Sequence, residues 1–333
     1  DNSDARRQQL NTVVTVDAKP DTRIKLIANI FDMPYAKDAL GLKADEYASN
    51  PVSYGTNALL NGTKKTVKQE QVGVVIEHKI NSDLLLQSRV YTGTRDNLQF
   101  QAGSTTGSAT GTWVGLSRQF GGVGIQLQGK QRIGAEKSMD WVFGYEQDSS
   151  AEQRQGGGST SGVKNSSALT RNELDTAINK DYFAQANFRL LNDFTFTSGL
   201  RQSTVQLSSR DDLTNGASSG AVTYKATNPV LGATWHALDN LNLYINRGKG
   251  FETPTLSETA YKTGTSNPLL TFNPNLLSAS SQHIEIGSKF LPSRYSRIDT
   301  ALFRIKTDNE IVTAQSVSGK TAYTNAGQTL RQG

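Results

Sequence analysis

The chain has 333 residues, 35 Lys+Arg against 30 Asp+Glu, a formal net charge of +5 and no cysteine. So small a basic excess does not suggest a nucleic-acid binder, which concentrates positive charge on one face. The missing cysteines remove thiolate metal sites, disulfide frameworks and cysteine nucleophiles together. Hydrophobic residues make up 35 % of the chain and mean hydropathy is −0.49. No apolar run approaches the roughly 20 residues a spanning helix needs. That excludes a helical membrane protein but leaves a barrel open, because only every second residue of a barrel strand faces lipid. The opening DNSDARRQQL is polar throughout, with no signal-peptide core, so for an exported protein the targeting segment is expected upstream.

From the start of the chain the dominant period is two. Leu10, Thr12, Val14, Val16 and Ala18 alternate with polar neighbours, as do Ile24, Leu26, Ala28 and Ile30. The same rhythm returns in Val72, Val74, Ile76 and Ile80, and in Met139, Trp141, Phe143 and Tyr145. It continues in Tyr182, Ala184, Ala186, Phe188 and Leu190, and in Ile284, Ile286 and Phe290. Side chains alternate across a strand, so each segment has one apolar and one polar face. No convincing amphipathic helix of any length is predicted.

Short turns rich in Asp, Asn and Pro are expected at Pro20-Asp21, Asn81-Ser82-Asp83, 134–138, Asn192-Asp193, Asp239-Asn240 and 292–296. Between these hairpins lie longer polar stretches near 34–69, 149–178, 208–221 and 253–279, and RQGGGSTSGVKNSS (154–167) reads as a mobile loop. Short turn, strand, long loop, strand is the order of an up-and-down barrel with its turns at one end and its loops at the other. The reading is an all-β protein, an antiparallel up-and-down transmembrane β-barrel, with about 13 strands. Tyr35, Tyr91, Trp113, Trp141, Tyr145 and Trp235, near strand ends, are candidates for interfacial girdles.

One segment carries a family resemblance. LNLYINRGKGFETPTLSETAY (241–261) resembles a stretch near the C-terminal end of TonB-dependent outer-membrane receptors, a strand ending in Tyr-x-x-Gly-Phe-x-x-Pro-Thr-x-x-Glu. Gly250, Phe251, Pro254, Thr255 and Glu258 match that pattern. NPNL (273–276), SSQHIEIGSKF (280–290), ALFRIKTDNEIV (301–312) and YTNAGQTLRQG (323–333) resemble the strands and loops that follow it. The resemblance implies that 1–333 is part of a barrel of 22 strands in the outer membrane of a Gram-negative bacterium. The plug domain of the family is not recognisable in this sequence. It further implies a gated importer of a ferric siderophore or similar iron chelate, energised by the TonB complex through that plug. Such a protein is a monomeric barrel, bathed in outer-membrane lipid, with no nucleic-acid partner. Arg247 stands where the family often has an aromatic; it is either a cation for lipopolysaccharide phosphates or a solvated side chain.

Enzyme motifs are nearly absent, so no catalytic residue is assigned and the chain is not read as an enzyme. His78, His236 and His283 are far apart and outside any metal-ligand spacing, so no metal site is assigned either. FGGVG (120–124) lacks the final glycine and the helix of a phosphate-binding loop, and a β-bulge or flexible strand is expected instead. The polar faces supply Arg23, Lys25, Arg89, Arg95, Arg189, Arg201, Glu77, Glu146 and Glu285, expected to line a lumen. In the loops, Tyr47, Tyr54, Arg171, Tyr261 and Lys262 are the candidate ligand-binding residues. Aromatic faces and cations suit a bulky anionic chelate. No cofactor is expected, iron entering only within the transported chelate. Two other classes remain open: a passive porin-like channel, and a non-transport surface β module.

Overall fold

A computed structural model describes residues 2–103, 105–134, 137–190, 193–317 and 319–333, with the side chains of 166–168 set aside. The chain opens with β1 (Ala5–Lys19) and β2 (Thr22–Lys37), followed by two short helices, α1 (Ala44–Ser49) and α2 (Thr56–Leu60). Next come β3 (Lys64–Lys79), β4 (Leu84–Ala102), β5 (Thr110–Arg132), β6 (Lys137–Thr160) and β7 (Val163–Leu190). Then β8 (Phe194–Asp211), β9 (Gly220–Leu238) and β10 (Leu241–Glu252) lead to two short strands, β11 (Tyr261–Lys262) and β12 (Leu269–Leu270). The last are β13 (Ala279–Ser293), β14 (Ser296–Asp308), β15 (Ile311–Val317), β16 (Lys320–Asn325) and β17 (Gln328–Gln332).

Among the described residues, thirteen strands form one sheet in the order β1 to β10, then β13, β14 and β17. Every neighbouring pair is antiparallel, and the sheet does not close, leaving β1 and β17 as its edges. The pairs β11–β12 and β15–β16 are separate two-stranded ribbons. Of the two segments that resembled a following hairpin, β14 therefore pairs with β17, and β15–β16 folds off as an excursion between them.

Register turns the two-residue period into two surfaces. On one face Val14, Leu26, Val74, Val90 and Val123 stand side by side across five strands. On the other, Thr15, Lys25, Val75, Arg89, Gly124, Glu146, Asp181 and Ser203 form a row across eight. The apolar face is left uncovered: Leu302 is 70 % exposed, Leu231 58 % and Val72 57 %. Each such side chain gains about 1.5–3 kcal/mol on leaving water. A face this broad is a lipid-contacting or docking surface rather than scattered exposure. At its short-turn edge Trp141 stacks on Phe143 with ring centroids 5.6 Å apart, and Phe194 on Trp235 at 6.3 Å. Of the expected girdle residues, Trp141 and Trp235 stand in this aromatic edge, joined there by Phe143 and Phe194.

Tyr91 and Trp113 do not belong to it. Tyr91 points to the polar face, where its hydroxyl donates to Asp148 at 2.6 Å. Trp113 lies near the loop end of β5, only 3 % exposed, with Lys164 Nζ 4.3 Å from its ring centre. FGGVG keeps unbroken register with β4 and β6, so no bulge forms. A Cβ on Gly122 would stand 2.2 Å from Asp148 Oδ1 and 2.7 Å from the Tyr91 ring; the glycine clears space for that hydrogen bond.

The loops also differ from expectation. Residues 149–178 are mostly strand: β6 and β7 run far past the apolar band and meet at Ser161-Gly162, both with positive φ. Two such residues make a type I′ turn, whose twist matches a hairpin. Their extensions lack alternating apolarity, so the period that marks the lower strands is silent there. The 34–69 stretch holds the two short helices. Asn57 and Asn61 pin it to the β4–β5 loop through bonds to the carbonyls of Thr105 (2.9 Å) and Ser108 (2.8 Å). The turns expected at 134–138 and 192–193 lie partly outside the described residues.

Candidate functional site

The polar face carries a ladder of charged pairs that thickens toward the loop end. Low on the wall, Lys25 donates to Glu77 at 2.6 Å, and Arg89 reaches Glu146 at 3.2 Å. Arg201 bridges Asp181 (2.8 Å) and Glu146 (3.7 Å), and Tyr244 donates to Glu285 at 2.7 Å. Higher up, Arg118, Glu152, Asp175 and Ser209 stand in one cross-strand row, and Leu116, Arg154, Glu173 and Asp211 in the next. Arg118 pairs with Glu152 at 2.7 Å. Arg171 grips Glu173 through Nε and Nη2, each 2.5 Å from Oε1.

The 253–279 loop meets the buried end of this cluster at Arg171, beside Glu173 and Asp175, while Arg118 stays 43 % exposed; the motif residues explain how the loop is held. Pro254 is fully buried. The Glu258 carboxylate accepts from the Thr255 backbone N–H at 2.7 Å, while Thr255 Oγ1 accepts from the Glu258 N–H at 3.2 Å. That reciprocal pair is a capping box, which starts a helical turn and satisfies two otherwise orphaned donors. Thr259, one residue on, is also fully buried and donates to the Thr255 and Leu256 carbonyls. At Gly250 an added Cβ would stand 2.4 Å from Ser281 Oγ, in the place where Ser281 and His283 bond to each other at 2.7 Å.

The capped turn sends apolar residues back against the sheet. Phe272 packs with Leu207 and Tyr224, flanked by Ala177, Val205, Val222, Phe251 and Leu256. Gly220 makes the seat: its Cβ would fall 2.4 Å from the Phe272 ring. The Tyr224 hydroxyl donates to the Leu276 carbonyl at 2.8 Å, and burial pushes its pKa up to about 12.

Two of the five candidate residues meet at this closure. Arg171 Nη1 donates to the Tyr261 hydroxyl at 3.0 Å, and its guanidinium carbon lies 5.3 Å from the ring centre. Lys262 follows in β11, which pairs with β12. Arg171 is 9 % exposed and held by Glu173, so it positions Tyr261 instead of facing solvent. Tyr47 is 63 % exposed on α1 and Tyr54 37 % exposed before α2, both in the 38–63 loop. No hydrogen bond or ring contact joins those two tyrosines to Tyr261 among the described residues.

Sequence reading missed the rest of the cluster. Arg154 Nε is buried without a hydrogen-bond partner in the protein, and burial with the neighbouring Arg171 pulls the guanidinium below its ordinary range. Asp175 is pushed up to about 6, first by burial and then by repulsion from Glu173. The alternation of Arg171, Glu173 and Asp175 along one strand was a usable signal, hidden by assigning 149–178 to a loop. The three histidines meet ordinary polar neighbours: His78 contacts Thr22 at 2.9 Å, His236 contacts Thr195 at 2.9 Å, and His283 contacts Ser281.

An up-and-down sheet with a polar inner wall, an apolar outer belt, and turns and loops at opposite ends is the wall of an outer-membrane barrel. Residues 14–333 match the family model described as the TonB dependent receptor-like β-barrel, and the chain belongs to that family. The ferric citrate transporter FecA, in its unliganded form, superposes with a TM-score of 0.80 at 14 % identity, over 97 % of this chain and 46 % of that one. The ferric-catecholate import receptor Fiu from Escherichia coli K12, closed form, gives 0.70 at 16 %, over 100 % and 55 %. The siderophore receptor PiuA from Acinetobacter baumannii gives 0.71 at 13 %, over 97 % and 52 %. The chain thus spans about half the length of these receptors. It is a protein of the Gram-negative outer membrane, of a family of transport receptors and not of enzymes.

Proposed function

We propose that this chain is part of a receptor that imports a ferric siderophore or similar iron chelate, driven by the TonB complex through a plug domain seated in the lumen. The observation that carries the proposal is the loop closure at the mouth. A capped, apolar-anchored loop presents Tyr261 and Lys262 beside the polar wall, with Arg171 fixing the tyrosine. An aromatic ring and an ammonium group suit the flat, anionic surface of an iron chelate. Tyr47 and Tyr54, on the 38–63 loop at the same end of the strands, would add further aromatic surface. The charged inner wall suits a polar plug or a hydrated path, since its cations and carboxylates already neutralise one another in pairs. Iron here is cargo and not a resident cofactor.

The test is uptake of radiolabelled iron, offered as a panel of chelates, by iron-starved cells carrying or lacking the full-length receptor. Receptor-dependent uptake that collapses when the TonB complex is deleted supports the proposal. Equal uptake without that complex indicates a passive channel, and uptake of none of the chelates removes iron as cargo. Tyr261→Ala is expected to weaken chelate binding by about tenfold, the scale of one lost aromatic contact of roughly 1 kcal/mol or more.

A further inference from the structure

The residue that follows NPNL (273–276) meets the segment YTNAGQTLRQG (323–333) across 48 positions of chain. Ser280, Asp308 and Gln328 stand in one row across β13, β14 and β17, so the 253–279 loop and the β15–β16 excursion spring from neighbouring strand ends. The neck of the excursion is closed by two backbone bonds. Asn309 N–H donates to the Gly327 carbonyl at 2.9 Å, and Ala326 N–H to the Glu310 carbonyl at 2.7 Å. The Glu310 carboxylate also accepts from Thr329 and Arg331 in β17, which roots the ribbon on the sheet.

One side chain ties this ribbon to the loop. Asn325, at the end of β16, accepts from the Leu277 N–H at 2.8 Å and donates to the Leu277 carbonyl at 2.9 Å. Its second amide hydrogen goes to the Asn309 carbonyl, also at 2.9 Å. A carboxamide offers two donors and an accepting oxygen, and here all of them are engaged. Turning the amide over would set its oxygen against two carbonyls, so the partners fix its orientation. A second tie lies nearer the tyrosine. Gln315 Oε1 accepts from the Gly264 N–H at 3.0 Å, two residues beyond Lys262. A Cβ on Gly264 would stand 2.2 Å from the Asn267 carbonyl oxygen, so glycine is required at that approach. β16 packs beside β11, with Ala322 fully buried.

β11 needs such support. It pairs with β12 through two residues only, Tyr261 with Leu270 and Lys262 with Leu269. An isolated two-stranded ribbon is marginal in water even at greater length. Phe272 and the bond from Ser218 Oγ to the Leu270 carbonyl at 2.9 Å hold the β12 side, and Arg171 holds the Tyr261 hydroxyl. We propose that the β15–β16 ribbon is a strap that sets the position of β11, with Asn325 the positioning residue for Tyr261 and Lys262. Loop and strap then move as one body, and β11 leaves the wall only when the ties at Leu277 and Gly264 open together. The consequence for cargo rests on the iron-chelate reading; the strap itself does not.

The experiment uses the full-length receptor in detergent micelles and follows backbone hydrogen exchange by mass spectrometry. Asn325→Ala should speed exchange at 261–264 and at 277 by about tenfold, while 270–272, held by Phe272 and Ser218, changes by less than about twofold. Asn325→Asp keeps the acceptor for the Leu277 N–H but sets a carboxylate against two carbonyl oxygens, and should be no better than Asn325→Ala. Gln315→Ala removes only the tie to Gly264 and should speed exchange at 262–264 by about threefold; it keeps the test open if the Asn325 variants fail to fold. Uptake is read on the same variants with two probes, ferric dicitrate and a ferric tris-catecholate. For a probe that the unaltered receptor imports, Asn325→Ala should raise KM about tenfold and leave the maximal rate unchanged, whereas general unfolding lowers the maximal rate. Unchanged exchange at 261–264 in both Asn325→Ala and Gln315→Ala overturns the strap. So does an equal rise across the whole loop, and so does full recovery by Asn325→Asp. Raised exchange with an unchanged KM leaves the strap standing and removes Tyr261 and Lys262 from the cargo site.

Discussion

The same thirteen strands behave as two different materials at their two ends. In the lower half each strand buries little against its own chain; its apolar side faces outward and its polar side carries half-exposed pairs such as Lys25–Glu77 and Arg89–Glu146. In the upper half, charged groups are buried, with Asp175 at 3 % and Glu173 at 6 % exposure, and an apolar cluster forms around Phe272. The lower half is stabilised by register and by lipid. The upper half is stabilised by a loop that returns to the wall. Perturbations there should be local, large and sensitive to pH, whereas pairs in the lower half should tolerate change.

The sharpest way to break the contrast is Phe272→Ala. It removes the centre of the upper cluster, and loss of a buried aromatic costs about 3–5 kcal/mol. Hydrogen exchange across 253–279 should rise toward that of an unanchored loop, while amides of the lower strands keep their protection. Uniform loss of protection would mean that the halves are not separable. Arg171→Met comes next. It leaves Glu173 charged and buried with its partner gone, at about 3 kcal/mol or more, and replacing both residues by apolar ones should recover most of the loss. Measured by the same exchange, failure of the double change to recover would show that the pair does more than neutralise itself.

Asp175 tests the pH side of the comparison. Its folded pKa, about 6, lies above the ordinary 3.8. A raised pKa contributes stability that is full below about 3.8 and lost as pH rises through 6. The loop closure should therefore be tighter at pH 4.5 than at pH 7.5, by at most about 2–3 kcal/mol. Asp175→Asn should flatten that dependence and protect the loop at pH 7.5. An unchanged pH profile in the variant would assign the titration to another group. The smallest expected effect is that of Thr255→Ala, which opens the capping box for about 1 kcal/mol and should speed exchange only near 255–260.

Legibility followed the same division. The lower strands could be read because lipid on one face and lumen on the other impose strict alternation, as in Ile24, Leu26 and Ala28 against Arg23, Lys25 and Asn29. Strands beyond the membrane face water or packed loops on both sides, so Gln153, Arg154, Gln155 and Gly156 look like loop although they are paired on both edges. Trp113 and Tyr91 misled for a related reason: an aromatic near a strand end has the same letter whether it faces lipid, lumen or a lysine. The family motif was visible, but not its purpose. Gly250, Pro254, Thr255 and Glu258 are spaced for a cap and a close approach, which only the tertiary fold connects to Phe272 and Tyr261.

By itself the sequence determined the class of the fold, the apolar and polar faces of the lower strands, the ends at which turns and loops lie, and the family. Those properties are periodic or local, set by one residue and its neighbours two to four positions away. Tertiary structure alone decided which loop folds inward, that Arg171 meets Tyr261 across 90 residues of chain, and that Asp175 is buried beside Glu173. Each depends on register between strands distant in the chain, and register is a cooperative property of the whole sheet that no single strand encodes.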